Sequence, residues 1–178
     1  MNTQTEIAVI GGGCFWCTEA VFLKLRGVVS VAPGYTGGEK PNPTYEQVCT
    51  GNTGHAEVIQ VEFDPSVITY EDILTVFFGV HDPTQLNRQG NDTGTQYRSS
   101  IFTTSDAQTQ TAQKLIAELA PEYPEPIVTT VEPLQTFYEA EEYHHRYFER
   151  NPDQMYCQLV VRPKIEKFEK KFKALIAS

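Results

Sequence analysis

The chain has 178 residues, of which 40% are hydrophobic and 21% charged, so it can bury one sizeable core and we expect a single domain over residues 1–178. A net charge of -9 argues against nucleic acid or an anionic membrane as the main partner, because both reward a basic surface. Residues 1–6 lack the basic start of a signal peptide, and no stretch approaches ~18 consecutive apolar residues. We therefore expect a cytoplasmic protein without a membrane span, whose four cysteines are free thiols.

Alternating apolar and polar runs predict a mixture of strands and helices along the chain. The predicted strands are residues 5–10, 28–32, 56–63, 97–103, 127–131 and 156–161. The predicted helices run from Cys14 to Gly27, from a capping box at Thr69 to Gly79, from Ser105 to Pro121, and from Pro163 to Ile176. Residues 33–43 are rich in glycine and proline and predict a long loop. This order favours an α+β fold with helices against a largely antiparallel or mixed sheet.

Cys14 is the most informative residue, because it lies between a glycine run (residues 11–13) and the start of a predicted helix. Unpaired backbone N–H groups at a helix start favour the thiolate, and the thiolate is the nucleophilic form of cysteine. Cys17 lies three residues further on and on the same helix face, so a sulfur oxidised at Cys14 has a second thiol within reach. The spacing therefore predicts a reactive thiol pair.

Other interpretations of this segment are weaker. The dinucleotide-binding fingerprint requires glycine where Trp16 stands, and the phosphate-binding loop requires Gly-Lys-Ser/Thr. A structural zinc site needs four ligands, yet the chain has one C-x-x-C pair and otherwise scattered cysteines and histidines. Free cysteines also serve as small buried hydrophobic residues, an alternative that stays more open for Cys17 than for Cys14.

Glu57 is a second candidate, because the odd positions of the predicted strand 56–63 are otherwise apolar. Desolvation on that face would raise the pKa of the carboxyl group and make it a proton donor near neutral pH. The alternative is that Glu57, beside Gly54 and His55 at the strand end, meets solvent. Position alone leaves both interpretations open.

Four segments together resemble one family along nearly the whole chain and in that family's order. They are Gly13-Cys14-Phe15-Trp16, residues 45–49 with 54–57, residues 92–99, and residues 138–145. The chain is similar here to peptide methionine sulfoxide reductase A. The resemblance implies a two-layer α+β domain with a ferredoxin-like core and a mixed sheet. It also implies action on the S epimer of methionine sulfoxide, free or in proteins, with thioredoxin as the reductant and no metal or other cofactor.

The same resemblance implies roles for individual residues. Cys14 would attack the sulfoxide sulfur, Glu57 would protonate the sulfoxide oxygen, and Tyr45 and Tyr97 would hydrogen-bond that oxygen. The implied substrate pocket consists of the apolar wall of Phe15 and Trp16 and the nearby residues Asp92, His144 and Tyr147. Oxygen transfer leaves a sulfenic acid on Cys14, which a neighbouring thiol converts to a disulfide. We expect a monomer.

The cysteine that resolves the sulfenic acid is either Cys17 or Cys157. Many members of the family have glycine at the position of Cys17, and Cys157 resembles their C-terminal recycling cysteine. Here, however, Cys157 falls in a predicted buried strand without a glycine-rich mobile tail, whereas a C-x-x-C pair needs little backbone motion to close. We therefore favour Cys17, keep Cys157 as the alternative, and expect Cys49 to be structural.

Two other classes of protein remain as alternatives. The C-x-x-C pair is also found in thiol–disulfide oxidoreductases, although that interpretation requires a βαβ context opposite a cis-proline, and no proline is convincingly placed for it. A zinc-stabilised binding module is the non-enzymatic alternative.

Overall fold

The computed structural model describes residues 4–177, which contain a six-stranded sheet and a separate two-stranded ribbon. The strands in chain order are β1 (Glu6–Gly11), β2 (Val28–Thr36), β3 (Ala56–Phe63), β4 (Arg88–Gln89), β5 (Asp92–Thr93), β6 (Ser100–Thr103), β7 (Thr130–Pro133) and β8 (Tyr138–Glu139). Strands β4 and β5 form the ribbon, and the other six form the sheet.

Six α-helices accompany these strands in the described part of the chain. They are α1 (Phe15–Phe22), α2 (Tyr45–Cys49), α3 (Tyr70–Val80), α4 (Asp106–Leu119), α5 (Tyr147–Arg150) and α6 (Arg162–Lys171). Short 3₁₀ turns lie at Thr95–Tyr97, Ala120–Glu122, Glu142–His144 and Lys173–Leu175, and a π-helical turn lies at Cys157–Val161. Within residues 4–177, none of the helices combines the length and the apolar character that crossing a membrane requires.

The strand order identifies the topology. The sheet has the order β7-β6-β1-β3-β2-β8, and its four central strands pair antiparallel with one another. Helix α1 connects β1 to β2, and β3 lies between these two strands in the sheet. Helix α3 lies in the connection from β3 to β6, and β1 lies between those two strands. These two interleaved split βαβ units are the ferredoxin-like arrangement, and β7 makes the sheet mixed because it runs parallel to β6. The predicted fold class is confirmed.

The main hydrophobic core lies between one face of the sheet and the helices. Odd positions of β3 and even positions of β1 contribute to it, and they meet apolar side chains of α1, α3, α4 and α6. A smaller cluster on the opposite face contains Val9, Ala56, Val58 and Phe102, packed against Leu134 and Phe137. Strand β3 is thus buried on both faces, and a polar residue at an odd position points toward the helices.

Most predicted elements are present with shifted ends. The capping box at Thr69 is formed with Asp72, as predicted, and strand β3 has the predicted bounds. The strand predicted at 28–32 continues to Thr36, because residues 33–36 pair with β3, so the loop that follows is shorter than expected. The helix predicted to reach Ile176 ends as an α-helix at Lys171 and continues as a 3₁₀ turn.

The strand predicted at residues 156–161 is wrong, because this segment is helical and leads directly into α6. Cys157 and Val161 are buried four residues apart, whereas Leu159 between them is 69% exposed, which is a helical and not a strand pattern. A helical hydrogen bond is present at its start, where the N–H of Gln158 donates to the carbonyl oxygen of Gln154 at 2.9 Å. The predicted burial of Cys157 itself is confirmed.

Candidate active site

Cys14 lies where the glycine run leaves β1 and α1 begins. It is the N-cap residue of α1, with φ -62° and ψ 126°, and its carbonyl oxygen accepts the N–H of Cys17 at 3.1 Å. Gly13 precedes it at φ +95°, and a Cβ atom there would lie 2.8 Å from the side chain of Gln89 in β4. Only glycine can therefore bring the chain under the ribbon and into the helix at this point.

The resting state of Cys14 differs from the expectation of a thiolate. Its side chain is only 6% exposed, and this burial raises the pKa of the Cys14 thiol well above its usual value. The neighbouring thiol of Cys17 and the nearby carboxyl group of Glu57 raise it further. Burial therefore favours the protonated form of the Cys14 thiol.

Cys17 lies beside Cys14, as its predicted position on the same helix face requires. The interaction with Cys14 lowers the pKa of the Cys17 thiol against the opposing effect of burial, and the positive charge of Lys164 on α6 acts in the same direction. Both cysteines are buried free thiols in residues 4–177 of this structure. The pair is consequently preassembled.

Glu57 is buried on the helix-covered face of β3, opposite Tyr35 in the register with β2. It is 1% exposed, so the solvent-exposed alternative is wrong. Its Oε1 accepts the backbone N–H of Phe15 at 3.2 Å, and its Oε2 has no hydrogen-bond partner among residues 4–177. Burial raises the pKa of Glu57 to about 8, so the carboxyl group is largely protonated at neutral pH.

Tyr45 and Tyr97 both lie near Glu57 from different elements. Tyr45 is the first residue of α2, and Tyr97 ends a 3₁₀ turn that follows the ribbon. Burial raises the pKa of each phenol above its usual value, and the charge of Glu57 adds to the effect in both cases. Both phenols are therefore hydrogen-bond donors at neutral pH. The backbone N–H of Tyr45 is in turn held by Glu141 Oε2 at 2.9 Å.

An aromatic cluster surrounds the start of α1. Trp16 donates its Nε1–H to His144 Nδ1 at 2.9 Å and stacks on Tyr147 with ring centroids 3.8 Å apart. Phe15 is fully buried, and its ring lies 5.0 Å from that of His144. The hydrogen bond from Trp16 selects the neutral tautomer of His144 in which Nδ1 is the acceptor. Burial lowers the pKa of His144 to about 4. The members of the aromatic cluster are Phe15, Trp16, Tyr45, His144, Tyr147 and Tyr156.

Tyr156 is the one site residue to which the sequence reasoning gave no role. Its ring packs edge-on against Trp16 at 5.6 Å, and its hydroxyl donates to Asp92 Oδ2 at 2.8 Å. The same hydroxyl lies near the thiols of Cys14 and Cys17 and lowers the pKa of both. The sequence signal that could have found Tyr156 is the helical spacing of apolar residues over 157–168. Once this segment is recognised as helical, Tyr156 is placed on the side that faces α1.

The structure places the remaining cysteines differently. Cys157 is fully buried under α1, close enough for the charge of Cys17 to act on it, and burial raises the pKa of its thiol. Cys49 ends α2 at the surface and is exposed, so it does not contribute to the core as expected of a structural cysteine. Across residues 4–177, no group of three or more potential metal ligands is arranged to hold a metal ion, so the zinc-stabilised alternative has no ligand set there.

A preassembled thiol pair beside a neutral buried carboxyl group, on a ferredoxin-like sheet, defines a thiol-dependent oxidoreductase. Comparison with known proteins agrees. The sequence model of the family described as "Peptide methionine sulfoxide reductase" matches residues 6–176. A curated relative from Thermus thermophilus, "Peptide methionine sulfoxide reductase MsrA", is 57% identical over 171 residues, covering 96% of this chain and 97% of that protein. The chain belongs to the peptide methionine sulfoxide reductase A family, whose members are oxidoreductases that reduce methionine sulfoxide.

Solved structures support the same assignment. Methionine sulfoxide reductase A of Corynebacterium diphtheriae is similar with a TM-score of 0.82 and 40% identity, covering 85% of this chain and 77% of that chain. Mxr1 from Saccharomyces cerevisiae in complex with Trx2 is similar with a TM-score of 0.58 and 29% identity, covering 82% of this chain and 87% of that chain. The resemblance from the sequence is confirmed.

Proposed function

We propose that this protein reduces the S epimer of methionine sulfoxide, free or in proteins, with one catalytic domain over residues 1–178. The observation that carries the proposal is the neutral carboxyl group of Glu57 beside the buried thiol of Cys14, because sulfoxide reduction needs a nucleophile at sulfur and a proton at oxygen. The two residues come from β3 and α1, which the sheet holds together.

In the first step the phenols of Tyr45 and Tyr97 donate hydrogen bonds to the sulfoxide oxygen. Cys14 Sγ attacks the sulfoxide sulfur while Glu57 protonates the oxygen, and the thiol proton returns to Glu57. The hydroxyl group then moves from the methionine sulfur to Cys14 Sγ. The S–O bond and the sulfur–sulfur bond formed in the attack both break, a new S–O bond forms on Cys14, and one electron pair stays on the methionine sulfur. Sulfoxide and thiol thereby become sulfide and sulfenic acid, a balanced two-electron transfer in which methionine sulfur is reduced and cysteine sulfur is oxidised.

The aromatic cluster would bind the methionine side chain. Trp16 and Phe15 provide an apolar wall for the S-methyl group, and Tyr147 and His144 fix the Trp16 ring from the opposite side. Asp92 fixes Tyr156 at the edge of the same ring. A rigid apolar wall opposite the two phenols would orient the sulfoxide so that one epimer presents its oxygen to them.

Cys17 resolves the sulfenic acid in this account. Its thiol attacks Cys14 Sγ, water leaves with the sulfenic oxygen, and a Cys14–Cys17 disulfide forms. The proximity of the two thiols supports this order, since Cys14 lowers the pKa of the Cys17 thiol and thereby favours its nucleophilic form. Cys157 remains the alternative, because it is fully buried next to Cys17 and needs local motion to reach Cys14.

Thioredoxin would return the disulfide to the thiol state by exchange, with the disulfide transferred to its own dithiol. The support is the similarity to Mxr1, a protein solved in complex with Trx2. Free thiols and a thiol reductant fit a reducing compartment, so we place the protein in the cytoplasm, as a monomer that needs no metal or organic cofactor.

The proposal is tested by incubating the protein with the two epimers of a methionine sulfoxide peptide and dithiothreitol, and by following each epimer by chromatography. We expect the S epimer to disappear with formation of methionine, and the R epimer to persist. The matched variants are Cys14→Ser, which should lose the reaction, and Cys49→Ser, which should keep it because Cys49 is exposed and serine keeps a polar neighbour for the Tyr45 phenol. Consumption of the S epimer by the Cys14→Ser protein would reject the mechanism.

A further inference from the structure

Glu141 is a carboxyl group that takes no part in the proposed reaction but holds one of the two pocket tyrosines. Its Oε2 accepts the backbone N–H of Tyr45 at 2.9 Å, and its Oε1 accepts the hydroxyl group of Tyr35 at 2.9 Å. Both carboxyl oxygens of Glu141 therefore accept a hydrogen bond from a residue distant in sequence. These two bonds connect the pocket to the sheet.

The Tyr35 hydroxyl is a fixed point in the sheet. Tyr35 is fully buried in β2, and its backbone lies directly opposite Glu57 in the register of β2 with β3. On its other side Tyr35 pairs with Tyr138 in β8, so neighbouring strands hold it from both sides. A carboxylate bonded to this hydroxyl group consequently has a defined position relative to the proton donor Glu57.

Tyr45, in contrast, lies in an element that is too short to be stable alone. Helix α2 has five residues, and isolated helices of that length do not form in water. Its capping box pairs the backbone N–H groups of Thr44 and Gln47 with each other's side chains. The N–H of Tyr45 has no partner inside the helix, because it belongs to the first turn, and Glu141 accepts it instead. The carboxylate thus fixes the first residue of α2.

The segment that carries Glu141 also contacts the Tyr45 ring. His144 donates its backbone N–H to the carbonyl oxygen of Glu141 at 3.0 Å, and its ring lies 4.4 Å from the ring of Tyr45. Burial raises the pKa of Glu141, but hydrogen bonds, first the one from the Tyr45 N–H, together lower it below its usual value. Both bonds therefore go to an ionised carboxylate, which makes them stronger than bonds between neutral groups.

We propose that Glu141 is a positioning residue: it ties the first residue of α2 to β2 and thereby holds the Tyr45 phenol where Glu57 can protonate the oxygen that this phenol binds. The proposal rests on the proposed function, in which Tyr45 and Glu57 act on one sulfoxide oxygen. Glu141 itself does not touch the substrate. The competing explanation is that Glu141 only stabilises the packing of α2, with no effect on the reaction.

Glu141→Ala removes both acceptor oxygens and therefore breaks both bonds. We expect the single-turnover rate of the folded variant with the S-sulfoxide peptide to fall about 5- to 50-fold, within the range for residues in contact. Glu141→Gln is the conservative variant, because its carboxamide oxygen can accept the Tyr45 N–H while its amide group donates to the Tyr35 oxygen. We expect this variant to stay within about threefold of the wild-type rate. The matched control is Glu142→Ala, the exposed neighbour that pairs with Arg150, which should keep the wild-type rate.

A double-mutant cycle with Tyr45→Phe separates positioning from packing. Tyr45→Phe lacks only the hydroxyl group that Glu141 is proposed to position, so adding Glu141→Ala should change its rate by less than about twofold. Multiplying effects would show that Glu141 acts elsewhere and would overturn the proposal. A wild-type rate in the folded Glu141→Ala protein, or a Glu141→Gln protein as slow as Glu141→Ala, would overturn it as well.

Tyr35→Phe keeps the proposal testable if Glu141→Ala does not fold. It removes the hydroxyl group that anchors the carboxylate and keeps the buried ring, and we expect a loss of rate of about 2- to 10-fold. A wild-type rate in this variant would contradict the anchoring and overturn the proposal. Failure of the wild-type protein to reduce the S epimer contradicts the proposed function, whereas an active wild type beside an equally active Glu141→Ala protein contradicts only the role of Glu141.

Discussion

Glu57 shows how one residue acquires its chemistry from its place in a strand. The odd positions of β3 face the helices, so Glu57 is desolvated with Ile59 and Val61. Only one backbone N–H, from Phe15, compensates the carboxyl group within residues 4–177, and the charged form stays disfavoured. A pKa of about 8 makes it a proton donor at neutral pH, where an exposed glutamate would be ionised.

Glu57→Gln should therefore slow sulfoxide reduction about 10²- to 10⁴-fold, the usual contribution of a general acid. The measurement is the single-turnover rate at neutral pH, by rapid quench and chromatography of the methionine formed. The control is Glu62→Gln in the same strand, at an even position where the side chain bonds Thr5 and Ser30. A wild-type rate in the Glu57→Gln protein would mean that another group supplies the proton.

At the scale of single residues, part of the site could be predicted from the sequence. The place of Cys14 at a helix start could be predicted because a glycine run is a local signal, whereas the alternation of β3 left the burial of Glu57 open. The protonated resting state of Cys14 could not be predicted, because burial by the ribbon and by residues 156–161 comes from segments distant in sequence. Tyr156 was missed for the same reason, since its contact with Trp16 depends on the path of the chain between them.

The turn between β1 and α1 is the element that positions Cys14. Gly13 combines φ +95° with close contact to Gln89 in the ribbon. Gly13→Ala should destabilise the protein by about 1–3 kcal/mol from backbone strain alone, and displacement of the ribbon should reduce activity further. Urea unfolding and the peptide assay measure the two effects.

Gly90→Ala is the matched control for this turn. Gly90 has φ +60°, and an added Cβ atom there meets nothing within 4 Å, so it isolates backbone strain from contact with the ribbon. We expect a loss of stability with near-normal activity. Equal activity losses in the two variants would show that the Gln89 contact does not position Cys14.

The helical segment 157–171 shows where pattern reading fails for elements. Cys157, Leu159 and Val161 alternate as in a strand when the window ends at Val161. Extended into α6, the buried residues are Cys157, Val161, Ile165 and Phe168, a helical spacing. A short apolar run fits both the strand period of two and the helical period of 3.6. Only the continuation of the helical spacing across Pro163 distinguishes them, and proline does not exclude a helix because it is tolerated in the first turn.

The whole molecule joins its reactive groups through the sheet. Strand β3 carries Glu57. Helix α1 connects β1 to β2 across β3, and Cys14 is the N-cap residue of this helix. The fold class and family could be predicted from composition and from four motifs, because these are spread over the chain. The strand order could not be predicted from local patterns, because pairing is decided between segments distant in sequence.

Stability should depend on pH through Glu57. Its ordinary pKa of 4.5 rises to about 8 on folding, so the folded protein binds this proton more tightly than the unfolded chain. The stabilisation is fully present below pH 4.5 and is lost as the pH rises to about 8. Glu57→Gln should therefore gain stability relative to wild type between about pH 5 and 8, by on the order of a few kcal/mol.

Urea unfolding of both proteins at several pH values, with thiols kept reduced, measures this difference. Burial lowers the pKa values of His81 and His144 to about 4, so both histidines destabilise the folded state in acid. Their effect is the same in the variant and in the wild type, and it cancels in the difference between the two free energies of unfolding. A constant difference between variant and wild type over this range would mean that Glu57 is ionised in the folded protein.

The most direct test of the account is to oxidise the protein with one equivalent of S-sulfoxide peptide, without reductant, and to map its disulfides by mass spectrometry. We expect one methionine per protein and a Cys14–Cys17 bridge, with Cys17→Ser limited to one turnover and Cys157→Ser recycling with thioredoxin nearly as wild type. The reason is that the two buried free thiols lie three residues apart at the start of α1, so that little backbone motion joins them. A dominant Cys14–Cys157 bridge, or product formation with Cys14 still reduced, would contradict the account.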